Sequence, residues 1–191
     1  MTAPLHIASL HGHTVAMQLL LDNDANINAR NEWDRTPLHI TSRGGYIDAM
    51  KLLIDREADI NAKDRWGNTP LHDASYTGHT EAMKLLIENR ADVNANDKRN
   101  RTSLHDASEC GHIEAMKLLI EHGADINAKS KYDRTPLHKV SRKGNTDAIT
   151  LLIEHGADVN ANDKWNKTPL YKASCQNHTD AMKLLKSHRA K

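Results

Sequence analysis

Between Glu81 and Glu88 apolar residues recur at three- and four-residue steps, with Ala82, Leu85 and Leu86 on one face and Met83 and Ile87 beside it. That spacing predicts an amphipathic helix. Glu81 suits the positive end of the helix dipole and sits three residues before Lys84, a pairing worth roughly a few tenths of a kcal/mol. Upstream, Thr69-Pro70-Leu71-His72 predicts a shorter first helix running to about Gly78. Threonine caps it through its hydroxyl, and proline at the first helical place forgoes an N–H that has no partner there. Downstream, residues 92–100 are rich in Asn and Asp, turn formers that predict an extended hairpin leading into another such unit.

The unit returns at a step of 33 residues. Pro4, Pro37, Pro70, Pro136 and Pro169 are all the prolines of the chain, and Ser103 fills the missing beat. Leu5, Leu38, Leu71, Leu104, Leu137 and Leu170 follow, then His6, His39, His72, His105 and His138, with Tyr171 departing. Two short helices cannot bury their apolar face alone, so stability must come from stacked neighbours. No linker or break in composition interrupts the register. A single domain over 1–191 is expected, with repeats at about 1–30, 31–63, 64–96, 97–129, 130–162 and 163–191.

Thr69-Pro70-Leu71-His72, the central Gly78-His79 and Ala91-Asp92-Val93-Asn94-Ala95, repeated at this period, resemble the ankyrin repeat across the whole chain. The resemblance implies an all-α solenoid of stacked helix-turn-helix units joined by β-hairpin loops. It further implies binding of a partner on the concave side lined by hairpin tips and first helices. The first histidine rank is implied to hydrogen-bond the neighbouring turn. Asn28, Asn61, Asn94, Asn127 and Asn160 become candidate substrates for asparaginyl hydroxylation, with Leu53 and Asp59 in the pattern around Asn61. The plainer expectation is that each asparagine ties down its own turn.

Departures from the repeat carry information. Gly123 and Gly156 close the second helix of their repeats, whereas Asp24, Glu57 and Arg90 hold that place in the first three. If the place needs a left-handed backbone, each costs on the order of 1 kcal/mol, and the first three repeats are the softer ones. Asp34, Asn100, Asp133 and Asn166 stand where only Gly67 keeps the hairpin glycine, a substitution these side chains tolerate. Lys186, Ser187 and His188 give the last repeat a polar end. Leu5, Ile7, Leu10 and Val15 give the first none, so a trimmed start or a covering segment or partner is expected there.

Composition narrows the function. A formal net charge of +1 argues against wholesale coating of nucleic acid, and the absence of Phe with seven Trp and Tyr suits a layered aliphatic core. No apolar run is long enough to cross a bilayer, so no membrane association is expected and the cytosol or nucleus is the default. Cys110 and Cys175 lie two repeats apart, too far for a disulfide, and are expected to be free thiols. All but one of the 13 histidines fall into ranks at the repeat period. Rank members about 8 to 10 Å apart cannot share one ion at about 2.1 Å, so no metal or cofactor is expected. Cys110 near His105 and His112 lacks an orienting group or oxyanion loop, so no catalytic residue is expected.

What varies while the scaffold repeats is the hairpin tip. Counting from Asn31, Asp64, Asp97, Ser130 and Asp163, the third place holds Trp33, Trp66, Arg99, Tyr132 and Trp165, which includes every tryptophan. The second and fifth places hold Glu32 and Arg35, Arg65 and Asn68, Lys98 and Arg101, Lys131 and Arg134, and Lys164 and Lys167. Eight of those ten are basic in a nearly neutral chain. The first helices add Arg43, Tyr76, Arg142 and Lys143, interrupted by the acidic Asp73, Asp106 and Glu109. Trp, Tyr and Arg dominate interface hot spots. The candidate partner-binding set is therefore Trp33, Arg35, Arg43, Arg65, Trp66, Tyr76, Arg99, Arg101, Tyr132, Arg134, Arg142, Trp165 and Lys167, on a monomeric, non-catalytic scaffold for a partner protein or acidic extended segment. The alternative is single-stranded nucleic acid, stacked on the rings and followed by the cations.

Overall fold

The computed structural model describes residues 3–190 and contains α-helices with no strand among them. Six helix pairs follow the 33-residue register: α1 (Pro4–Leu10) with α2 (Thr14–Asp22), α3 (Pro37–Gly44) with α4 (Ile47–Asp55), α5 (Pro70–Thr77) with α6 (Thr80–Glu88), α7 (Ser103–Cys110) with α8 (Ile113–Glu121), α9 (Pro136–Lys143) with α10 (Thr146–Glu154), and α11 (Pro169–Cys175) with α12 (Thr179–Ser187). The chain divides into two compact units, Met1–Lys98 and Arg99–Lys191. In the first, α1, α3 and α5 pack as one layer and α2, α4 and α6 as another; in the second, α7, α9 and α11 and then α8, α10 and α12 do the same.

The first helices begin where threonine meets proline. Thr36 closes a capping box with His39: the threonine backbone N–H donates to the ring Nδ1 at 3.1 Å while the threonine side chain meets the N3 backbone. Nδ1 is therefore the unprotonated nitrogen, and the proton on Nε2 donates to the Asn68 carbonyl at 3.0 Å in the next hairpin. His6 reaches the Arg35 carbonyl and His138 that of Lys167, each 29 residues on, as the resemblance implied. At His39 and His138, where Nδ1 accepts the backbone N–H of Thr36 and Thr135, the ring is neutral. Burial pushes the His39 imidazole down to about 4 and lowers that of His138.

Between the layers, Leu38, Leu71, Met50, Met83, Leu53 and Leu86 are fully buried in the first unit, and Leu104, Leu137, Met116, Ile149, Leu119 and Leu152 in the second. Each such side chain removed from water contributes about 1.5 to 3 kcal/mol. Lys186, Ser187 and His188 are exposed, as expected of a polar end. Ile7, Leu10, Val15 and Leu19 are exposed at the other.

The second-helix ends need the left-handed backbone inferred above. Asp24, Glu57 and Arg90 have φ of 61°, 64° and 68°, beside 81° at Gly123 and 88° at Gly156. A Cβ at either glycine would meet nothing within 4 Å, so the strain lies in the backbone and not in crowding. Glu57→Gly and Arg90→Gly are each expected to stabilise the protein by about 1 kcal/mol, read by urea denaturation. A loss in both would mean that their side chains contribute more than the backbone strain costs.

Candidate functional site

Each hairpin tip is built on its first residue. Asn31 Oδ1 accepts the backbone N–H groups of Trp33 and Arg35 at 2.9 and 3.0 Å. Asp64 does the same for Trp66 and Asn68 at 2.9 and 2.8 Å, and Asp163 for Trp165 and Lys167 at 3.0 Å each. These carboxyl and amide groups are buried. The fourth place turns left-handed, with φ of 58° at Asp34, 85° at Gly67 and 54° at Asn100, Asp133 and Asn166. Backbone bonds from first to fifth residue close the loop, as from Asp64 N–H to the Asn68 carbonyl at 2.9 Å. The expected β-hairpins are thus tight turns, because side-chain oxygens take the N–H groups that a longer ladder would use. Successive tips are joined by single backbone bonds: Arg65 N–H to Trp33 O at 3.0 Å, Lys98 to Trp66 at 2.8 Å, Lys131 to Arg99 at 2.7 Å and Lys164 to Tyr132 at 3.0 Å.

This construction lifts the third-place rings into solvent. Trp33, Trp66, Tyr132 and Trp165 are 42%, 44%, 41% and 52% exposed, and Arg99 is exposed at the same place. The faces of Trp66, Tyr132 and Trp165 are already engaged. Arg35 and Arg65 lie over the Trp66 ring with guanidinium carbons 5.4 and 5.6 Å from its centroid. In the second unit Tyr132 and Trp165 have centroids 5.4 Å apart, and Arg134 sits 5.8 and 5.2 Å from them. Lys167 Nζ stands 4.1 Å from the Tyr171 ring. The ring edges and the rims of these stacks remain open to solvent.

The acidic residues that seemed to interrupt the basic face are its internal counterions. In the first unit Arg43 pairs with Asp73 at 3.2 Å and Arg35 approaches Asp64 at 3.6 Å, while Arg43 also covers Tyr76. In the second, Arg101 pairs with Asp106 at 3.1 Å, Arg134 approaches Asp163 at 3.6 Å, and Lys172 meets Asp163 at 2.7 Å. Arg142 and Lys139 both pair with Glu109. Burial pushes the Asp73 carboxyl up to about 6 against the pull of Arg35 and Arg43, and its Oδ2 is buried without a hydrogen-bond partner. At Asp163 burial acts upward too, but Lys172 and the backbone N–H groups of Lys167 and Trp165 hold the group down at about 2. Five arginines of the candidate set, Arg35, Arg43, Arg101, Arg134 and Arg142, therefore already face a carboxylate.

A set chosen for Trp and Arg passed over Lys98, Lys131 and Lys164. They are exposed, as is Arg65, and among the described residues these four have no ion-pair partner. Their signal was the second hairpin place, where the charge has no acidic residue one repeat along to meet.

The asparagine rank corrects the expectation that each side chain ties its own turn. That task belongs to the residue two places earlier: Asp59 Oδ1 accepts the Asn61 N–H at 3.0 Å and Asp158 the Asn160 N–H at 2.9 Å. The asparagine reaches the next repeat instead. Asn61 Oδ1 accepts the Asp92 N–H at 2.9 Å and its Nδ2 donates to the Arg90 carbonyl at 3.2 Å; Asn127 makes the same two bonds to Asp158 and Gly156 at 2.8 and 3.0 Å. Asn28 accepts from Asp59, and Asn160 donates to Arg189. Asn94 anchors its own backbone N–H on Asp92 at 2.9 Å.

Cys110 and Cys175 are both exposed free thiols. Burial, with Asp106 and Glu109 nearby, raises the Cys110 thiol, the wrong direction for a nucleophile. Among the described residues no group of three or more His, Cys, Asp or Glu is placed to hold a metal ion, and no helix is long and apolar enough to cross a membrane. A family model described as ankyrin repeats (3 copies) matches residues 2–64, 61–130 and 128–191. No curated protein matches the chain.

Proposed function

The chain belongs to the ankyrin-repeat family, whose repeats mediate protein–protein contacts, and from that premise we propose that it is a monomeric, non-catalytic scaffold binding a partner protein on its hairpin tips and first helices. The observation that carries this is the concentration of half-exposed Trp and Tyr at one place of a repeat whose other places barely change. Rings held rigidly by cations and by a buried acceptor lose little entropy on binding, which makes them efficient anchors. An acidic, extended segment fits the cationic rim, and the cytosol or nucleus suits two free thiols. Stacking of nucleic-acid bases is disfavoured at Trp66, Tyr132 and Trp165, because guanidinium groups and neighbouring rings lie on the aromatic faces that bases would need.

Trp66→Ala is expected to weaken the partner by roughly 2 kcal/mol or more, about thirtyfold, and Lys84→Ala on α6 to leave it unchanged. Affinity capture with the intact protein followed by titration of the captured partner reads both. A parent-like Trp66→Ala beside a disabled Lys84→Ala would move the binding face to the second helices.

A further inference from the structure

Cations on this surface divide into two classes by what they already touch. Those at the fifth place and on the first helices, such as Arg35, Arg43 and Arg134, spend their charge on Asp64, Asp73 and Asp163. Those at the second place do not: Arg65 and Lys98 in the first unit, and Lys131 and Lys164 in the second, are exposed and without an ion-pair partner among the described residues. Within each unit the two belong to consecutive tips, and each backbone N–H is fixed to the preceding tip, by Arg65 to Trp33 and Lys98 to Trp66, then Lys131 to Arg99 and Lys164 to Tyr132. The stems therefore start from a regular rail whose step is that of packed helices, about 8 to 10 Å.

Resting on the binding reading above, we infer that each unit offers this pair of second-place cations to an acidic segment in the polyproline II conformation, with carboxylates three residues apart. Polyproline II has three residues per turn and rises 3.1 Å per residue, so residues i and i+3 share a face about 9 Å apart. A β-strand puts same-face residues only about 6.6 Å apart, and an α-helix brings i and i+4 to about 6 Å. The polyproline II spacing falls within the repeat step of about 8 to 10 Å, whereas the next same-face step of an α-helix, i to i+7, is about 10.5 Å and overshoots it. Aromatic edges beside the cations suit such a segment as well, since its exposed, hydrogen-bond-free backbone and flat proline faces pack on aromatic-lined grooves. At this face Trp66 in the first unit and Tyr132 and Trp165 in the second stand next to the paired positions.

The probe is a fluorescent twelve-residue peptide, four copies of Glu-Pro-Pro, titrated against the full chain at low salt. Its controls have the same composition with the four Glu contiguous, or Gln in place of Glu, and a dT oligonucleotide is run beside them. Glu-Pro-Pro is expected to bind about tenfold more tightly than the contiguous-Glu peptide, and Gln-Pro-Pro not at all. Arg65→Gln with Lys98→Gln, and Lys131→Gln with Lys164→Gln, should each weaken it, and the quadruple variant should abolish binding; Arg65 also lies over the Trp66 ring, so the Lys131→Gln with Lys164→Gln variant is the one that tests the charges without touching that stack. Equal affinity for spaced and contiguous Glu would overturn the spacing while leaving the ridge intact. Binding lost in Trp66→Ala but kept in the quadruple variant would overturn the assignment of the cations alone. Tight binding of dT with none of the peptides would overturn both this inference and the acidic-segment reading beneath it.

Discussion

Replacing Asp73 with asparagine is expected to stabilise the protein at neutral pH by up to about 3 kcal/mol, the equivalent of moving a buried acid from 3.8 to about 6. The sign follows from the direction of the shift. A carboxyl whose folded value lies above its unfolded one contributes full stability below pH 3.8 and loses it as pH rises through 6; asparagine keeps the neutral form throughout. The Arg43 pair at 3.2 Å does not offset the burial, and Oδ2 has no hydrogen-bond partner. His39 acts in the opposite sense. Its folded value lies at about 4, below the ordinary 6.5, so its contribution is complete above pH 6.5 and is lost as pH falls through 4. In the parent the two windows overlap and oppose each other. The histidine contribution is common to parent and Asp73→Asn and cancels in their difference, so the gain follows Asp73 alone and should shrink from its value at pH 7.5 to about a third of it at pH 4.5, as the parent's carboxyl becomes protonated. Urea denaturation at both pH values, followed by tryptophan fluorescence, measures this; a variant less stable than the parent at pH 7.5 would mean that the charged pair with Arg43 outweighs its desolvation.

The other large effect is expected at Asp163, whose side chain is wholly buried and serves two tasks at once. One oxygen accepts the N–H groups of Trp165 and Lys167, and the other faces Lys172 and Arg134. Asp163→Ala removes both and should cost about 3 to 5 kcal/mol, the range for breaking a buried ion pair from one side. Asp163→Asn keeps an acceptor for the two N–H groups, as Asn31 does naturally in its own hairpin, and should cost about 1 to 2 kcal/mol. Chemical denaturation of the two variants separates the tasks. Equal losses would assign the whole effect to the ion pairs and none to the turn.

Local rules made the helices legible. Thr36-Pro37, Thr69-Pro70 and Thr135-Pro136 mark helix starts that physics fixes within a few residues, and the structure begins α3, α5 and α9 there. The left-handed places were readable for the same reason: Asp34, Asn100, Asp133 and Asn166 stand where a glycine alternates with residues that tolerate positive φ. Charge pairing was not legible in the same way. Arg35 and Asp64 are separated by 29 residues and Arg43 and Asp73 by 30, so each pair exists only once repeats stack. Along the chain Asp73 is merely an acid among bases. The asparagines misled for a related reason: an Asn in a turn usually bonds its own backbone, but here Asp59, Asp92 and Asp158 have taken that place and leave the carboxamide to reach forward. A rule confined to one turn cannot see a bond whose far end arrives with the next repeat.

That forward reach also sets how the protein ages. Asn61 and Asn127 use both ends of the carboxamide, accepting one N–H and donating to one carbonyl of the following repeat. Asparagine is thermolabile, and its slow hydrolysis to aspartate keeps the acceptor but replaces the donating NH2 with an oxygen. An anionic oxygen would then stand about 3 Å from the carbonyl of Arg90 or Gly156, so two attractive contacts become one attractive and one repulsive. Prolonged heating is therefore expected to loosen the seam between repeats while leaving the chain uncut and its mass changed by about one dalton per site, which intact-mass measurement beside urea denaturation would check. The shelf life of this scaffold is written in the same side chains that couple its repeats.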